Sequence, residues 1–193
     1  FLDPIQIIKN QIPKFLLVGH RWDMNIDTLI NFNKPTMIST FWEKSKDQSI
    51  KNSPAAIDYF IYKKNTFKHI PDFAIGRMGY DNWLIWYARR KLIPVVDLSK
   101  QVKVIHQNHS YNFHNLKENP NISPEEDTFN NRRLHGSKVL NLLDANYHLV
   151  NGKVIKKSSK EYLYRNLGKL PVIFPEFSIP LKIYKKLYRN YFF

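Results

Sequence analysis

The chain has 193 residues, of which 43% are hydrophobic and 15% aromatic, and thirty Lys and Arg against sixteen Asp and Glu give it a formal net charge of +14. That apolar content excludes the disordered class despite the charge, and the length fits one domain able to bury a sizeable core. With no cysteine there are no disulfides, no thiolate metal site and no cysteine nucleophile, and a reducing, cytoplasmic setting is expected. No apolar run reaches the roughly 18–20 residues that cross a bilayer, and the amino terminus shows no signal-peptide pattern.

In chain order, Ile5, Ile8 and Ile12 recur at helical intervals behind Asp3 and Pro4, read as cap and first-turn residues, so a short amphipathic helix is expected to end at Pro13. FLLVG (15–19) reads as a strand buried on both faces, which places His20, Arg21, Trp22 and Asp23 just beyond a strand end, where α/β proteins bind ligands. Between loops at 31–35 and 44–53, MISTF (37–41) reads as a strand. Residues 55–62 read as an interior strand carrying Asp58, a carboxylate that needs a partner such as an Arg, a hydroxyl or a metal.

A loop with Pro71, Gly76 and Gly79 leads to Asp81 in the position of an N-cap, and Trp83, Leu84, Trp86, Tyr87 and Ala88 form a broad apolar helical face behind it. Residues 94–98 and 102–106 read as short strands, the second ending in HQNH. Residues 110–126 form a polar loop in which Ser123 and Glu126 resemble a capping box for a helix from Arg132 to Leu143. Asn151-Gly152 between YHLV and KVIKK is a type I′ hairpin signal. A helix follows around 161–167, Pro171, Pro175 and Pro180 break the chain, and residues 181–193 form a basic amphipathic helix suited either to its own domain or to an anionic membrane surface. The pattern predicts an α/β fold with a mixed β-sheet flanked by helices, divided into 1–155 and a basic carboxyl-terminal extension at 156–193.

The chemistry-bearing residues are few. Asp81, at a helix start where the dipole and free amides favour its ionised form, is either a cap or a proton acceptor. His106 and His109 are either polar loop residues or ligands of a transition metal. Arg21, with Trp22 and Asp23, offers a guanidinium fork and an indole face to a phosphate or a sugar, and Gly76 with Arg77 offers an anion clamp. Positive charge and exposed aromatics also allow a nucleic-acid-binding module, but the charges are scattered, which argues against it. A non-catalytic glycan-binding remnant is a further alternative.

Taken together, VGHRWD, AIDYF, FAIGRMGYDNWLIWYARR and IHQNH resemble the carboxyl-terminal half of GT-A-fold glycosyltransferases, in particular a bacterial and viral group with the runs FAIGR, G[WY]DNWL and VIHQNH. The likeness covers residues 1–155, and DNWL and HQNH are its most specific parts. It implies an inverting, metal-dependent transferase that moves a sugar from a nucleotide-sugar donor to a glycan or other hydroxyl acceptor. Asp81 would be the base, with Asn82 and Trp83 beside it on the substrate side. His109 or His106 would complete the shell of a divalent metal, Mn²⁺ or Mg²⁺, on the donor diphosphate. In such enzymes an amino-terminal half ending in an Asp-x-Asp or similar acidic motif binds the nucleotide. Only Asp3 precedes Phe15 here, so the resemblance implies that residue 1 follows that motif and that part of the nucleotide-binding half is missing.

Overall fold

A computed structural model describes residues 2–109 and 124–178. Elements follow in the order α1 (Leu2–Gln11), β1 (Leu16–Val18), β2 (Arg21–Met24), α2 (Pro35–Gln48), β3 (Ile50–Lys51), β4 (Ile61–Tyr62), α3 (Tyr80–Arg90), β5 (Val95–Asp97), β6 (Val104–Gln107), α4 (Pro124–His135), β7 (Tyr147–Val150), β8 (Lys153–Lys156) and α5 (Lys160–Ile173). They build two mixed sheets flanked by helices. The larger has the order β4-β1-β5-β7-β8, with β1, β5 and β7 parallel and β4 and β8 antiparallel at its edges. The smaller has the order β3-β2-β6, with β2 parallel to β6.

Side-chain alternation along the strands divides the core in two. Leu16, Val18 and Val95 join Trp83, Leu84 and Ala88 of α3 and Ile173 of α5 on one side of the larger sheet. On the other side Leu17, Val96 and Leu98 meet Ile8 of α1 and Leu149. The expected strand at 15–19 is thus covered on both faces, each buried Leu or Val stabilising the fold by about 2 kcal/mol. Ile173 of α5 lies in the same core as α3.

The hairpin forms as expected. Asn151 (φ 47°) and Gly152 (φ 72°) both take positive φ between β7 and β8, as a type I′ turn requires.

Other expectations are corrected. MISTF lies inside α2, which starts on Pro35 at its first turn. The chain at 55–62 pairs as a strand only at Ile61–Tyr62, because a turn closed by Ala56 N–H donating to the Ser53 carbonyl (3.0 Å) precedes it. Residues 21–24 follow the end of β1 as expected, but they themselves pair as β2 of the second sheet. The helix expected at 132–143 ends instead at His135, capped by Gly136 at φ 53° with its N–H on the Arg132 carbonyl. Pro171 sits inside the last turn of α5, where only its own missing N–H is lost and two more residues complete the helix. The basic segment at 181–193 and Ser123 lie outside the described residues. No described helix is long and apolar enough to cross a membrane.

Candidate functional site

The smaller sheet assembles the polar centre. Parallel pairing sets Arg21 beside Val104 and Asp23 beside His106, so the odd-numbered residues of β2 and the even-numbered residues of β6 share one face. There the Arg21 guanidinium joins two carboxylates, Asp23 through Nε at 2.9 Å and Asp58 through Nη1 at 3.1 Å, with the Arg side chain only 16% exposed. The second Asp58 oxygen lies 2.5 Å from His106 Nδ1. Asn52 donates its amide to the far oxygen of Asp23. Asp58 therefore has the Arg partner expected of it, and an imidazole as well.

A carboxylate on Nδ1 orients the ring, with Nδ1–H donating to Asp58 and Nε2 left as the second ring nitrogen. The rings of His106 and His109 lie 5.3 Å apart, centroid to centroid. Between them, Gln107 and Asn108 turn away to hold the chain that follows β2. Gln107 donates to the Ile26 carbonyl (3.4 Å), Asn108 Nδ2 to Asn25 Oδ1 (2.8 Å), and Asn108 N–H to the Met24 carbonyl (2.9 Å). That chain and α2 enclose a cavity of about 290 Å³ whose wall mixes Met24, Met37 and Phe41 with Thr28, Thr40 and Lys44. The HQNH run thus combines one carboxylate-held imidazole, a neighbouring imidazole and two amides that shape a pocket wall.

Asp81 enters from the larger sheet's side. The N-cap of α3 is Gly79, in the left-handed region at φ 100°, and Asp81 sits in the first turn. The expected lowering of its pKa is reversed. Burial raises it above the ordinary 3.8, the Asp58 charge adds to the rise, and the N–H groups of Asn82, Asp81 and Gly79 only partly oppose it. Desolvation outweighs the helix terminus here. The Asp58 charge is the smallest of these contributions.

The loop before Asp81 is held from α4. Asn131, fully buried, accepts from Ala74 N–H (2.9 Å) and donates to the carbonyls of Ala74 (3.0 Å) and Met78 (3.3 Å). His135, one turn on, packs its ring against the α-carbon of Gly79. Neither residue carries a sequence signal, since an amide satisfied by a loop 57 residues away looks like any helical Asn.

The remaining expected site residues separate. Trp22 is on the opposite face of β2 from Arg21, with Lys103 Nζ 4.5 Å from its ring centroid. Trp83 is a core residue, packed against Phe73 and Tyr87, because the inward face of α3 falls on it. Asn82 ties α3 to its surroundings, its amide reaching the Ala55 carbonyl at 3.5 Å and its own carbonyl accepting from Leu140 N–H at 3.1 Å. Gly76 and Arg77 form an open turn in which Arg77 N–H donates to the Ala74 carbonyl at 3.4 Å.

A second polar group gathers where β1, β5 and β7 end. Asp97 accepts from the N–H and hydroxyl of Ser99 and pairs with Lys157 at 3.1 Å. Burial first, and Lys51 after it, hold His20 below its ordinary pKa. Burial also pushes the Tyr59 hydroxyl well up.

Among the described residues no group of three or more His, Asp or Glu converges in a way that could hold a metal ion. With both Asp58 oxygens engaged by Arg21 and His106, the groups left for a cation are the two imidazoles, nitrogen donors that suit a transition metal better than the oxygen-seeking Mg²⁺. Comparison with protein-family models, with curated proteins and with solved structures finds no match to this chain.

Proposed function

We propose that this chain is the acceptor-side part of a GT-A-like, inverting glycosyltransferase that uses a nucleotide-sugar donor and a hydroxyl acceptor such as a glycan. The observation that carries this reading is Asp58. It holds the imidazole of β6, and its charge makes a small contribution to the raised pKa of the carboxylate at the start of α3, which supports one site for a proton acceptor and a ligand nitrogen distant in sequence. Resemblance of FAIGR, GYDNWL and VIHQNH to such transferases points the same way.

In the proposed reaction Asp81 accepts the proton of the acceptor hydroxyl as its oxygen attacks the anomeric carbon. The bond from that carbon to the diphosphate oxygen breaks on the opposite side, which inverts the configuration. A raised pKa makes Asp81 a stronger base than a surface carboxylate. A divalent metal, Mn²⁺ or Mg²⁺, when bound, would stabilise the charge on the leaving diphosphate. His106, oriented by Asp58, and His109 are its proposed ligands, and Arg21 neutralises the paired carboxylates around them. A cytoplasmic location, with peripheral attachment to an anionic membrane through the basic surface, accords with the net charge of +14.

Incubation of the full-length protein with nucleotide-sugar donors, Mn²⁺ and hydroxyl acceptors tests this reading. Transfer with inversion, stopped by a chelator, is the expected result; retention at the anomeric carbon, or no donor binding across the nucleotide-sugar classes, rejects it.

A further inference from the structure

A second cavity of about 290 Å³ opens beside the first turn of α3, close to the roughly 300 Å³ at which small-molecule sites begin. Four parts of the chain build it: Gly79 and Asn82 around the helix start, Arg132 and His135 from α4, Asn141 before the short 3₁₀ turn at Leu142–Asp144, and Lys169 from α5. Its charge is one-sided. Among the described residues neither Arg132, which is exposed, nor Lys169, which is half-buried, has an acidic partner, whereas several buried or half-buried cations do find acceptors. Arg21 holds two carboxylates, Arg89 the Asp144 carbonyl, the Tyr162 hydroxyl and Asn166, and Lys157 holds Asp97.

The one carboxylate in the wall, Asp144, does not neutralise the pair. Its two oxygens are taken by Arg165, at 2.7 and 3.0 Å, and by Asn141 N–H at 2.9 Å, and its side chain is 2% exposed. His135 donates Nδ1–H to the Gly136 carbonyl (2.7 Å), which leaves Nε2 beside Gly79 as an acceptor for a hydroxyl. Guanidinium and ammonium groups facing a cavity with an amide and an imidazole acceptor match a phosphate attached to a polyhydroxylated body.

We propose that this cavity binds a phosphate group carried by the sugar acceptor. Arg132 and Lys169 grip the phosphate, and Asn82 and His135 meet the hydroxyls of the sugar that bears it. That the sugar is an acceptor rests on the transferase reading; the phosphate site does not. Gly79 and Asn82 flank Asp81 in sequence, so a phosphate held here places the sugar at the start of α3, where the proposed base is located.

Titration calorimetry with inorganic phosphate, glucose 6-phosphate and glucose tests the site. Expected is saturable one-site binding of both phosphates, tighter for the sugar phosphate, and none for glucose. Removing one charge-assisted hydrogen bond should weaken binding about tenfold or more, so R132Q/K169Q should bind glucose 6-phosphate at least that much less well, while R132K retains most of the affinity. Equal affinity in R132Q/K169Q would assign the phosphate to the general positive surface and overturn the proposal, as would absence of saturable binding in a folded protein. Phosphate binding abolished in R132Q/K169Q, with no sugar transfer by any donor, supports this site while rejecting the transferase reading. Transfer to phosphate-free acceptors with no phosphate binding does the reverse.

Discussion

On the proposed transferase reading, Asp81→Asn is expected to lower turnover about 10²–10⁴-fold, the usual contribution of a positioned general base, with donor affinity little changed. Asparagine keeps the shape and the place in the first turn of α3 but cannot take a proton, so the loss should appear in kcat and not in KM. The same substitution should stabilise the protein at neutral pH. Burial and the Asp58 charge raise the folded pKa of Asp81, so the folded state binds this proton more tightly than the unfolded one. The favourable contribution is present below the unfolded value near 3.8 and is lost as pH rises through the raised folded value. Above that value the ionised carboxylate costs stability, and Asn removes the cost; below it, wild type and variant should converge. Turnover should run the other way, its acid limb displaced upward from that of an unperturbed aspartate because only ionised Asp81 accepts a proton. Thermal unfolding and kcat across pH check both halves. A variant that is no more stable at pH 7, or that turns over as fast as wild type, removes Asp81 from the role of base.

Gly79→Ala is expected to be the most destabilising single methyl addition near the site. At φ 100° a side-chain-bearing residue costs about 1–2 kcal/mol. The added Cβ would also stand 2.5 Å from His135 Nε2, and overpacking of that kind costs about 1–3 kcal/mol. The two together, about 2–5 kcal/mol, are a large fraction of the roughly 5–15 kcal/mol that holds a domain folded. The two causes separate in a double-mutant cycle. On a His135→Ala background the steric part disappears while the backbone part persists, so Gly79→Ala should cost less there than in wild type. Urea unfolding midpoints measure all four corners. A loss below about 0.5 kcal/mol, the range of ordinary surface substitutions, would mean the loop does not need this conformation.

How much of the fold is legible in the sequence follows how local each cause is. Asn151-Gly152 announces its hairpin because two adjacent positive φ values are demanded by two adjacent residues. The strand at 15–19 and the helix after Asp81 are legible because their apolar patterns run unbroken through the core. MISTF misleads because five apolar or small residues fit either period; the helical signal lies in the longer series Met37, Phe41, Lys44 and Gln48, all lining one cavity. RWDM hides a strand whose Trp22 and Met24 face one way and Arg21 and Asp23 the other, a period-2 pattern masked by its polarity.

The site divides likewise. That Asp58 needs a partner follows from the cost of an uncompensated carboxylate, and Arg21 meets the need. That His106 is its second partner depends on the register of β2 with β6, which no short motif encodes. Asn131 and Asn52 act on segments far along the chain, so nothing around them in sequence marks them. The direction of the Asp81 shift runs against the sequence pattern because helix-terminus amides are visible in a sequence and burial is not.

The proposed convergence of Asp58, His106 and His109 with Asp81 is tested most directly by adding Mn²⁺ with a nucleoside diphosphate to the protein and following paramagnetic broadening in its NMR spectra. The imidazole signals of His106 and His109 should broaden first, those of Asp58 and Asp81 should follow, and His106→Ala/His109→Ala should abolish the effect. Broadening centred elsewhere, or persisting unchanged in that double variant, would contradict the shared site.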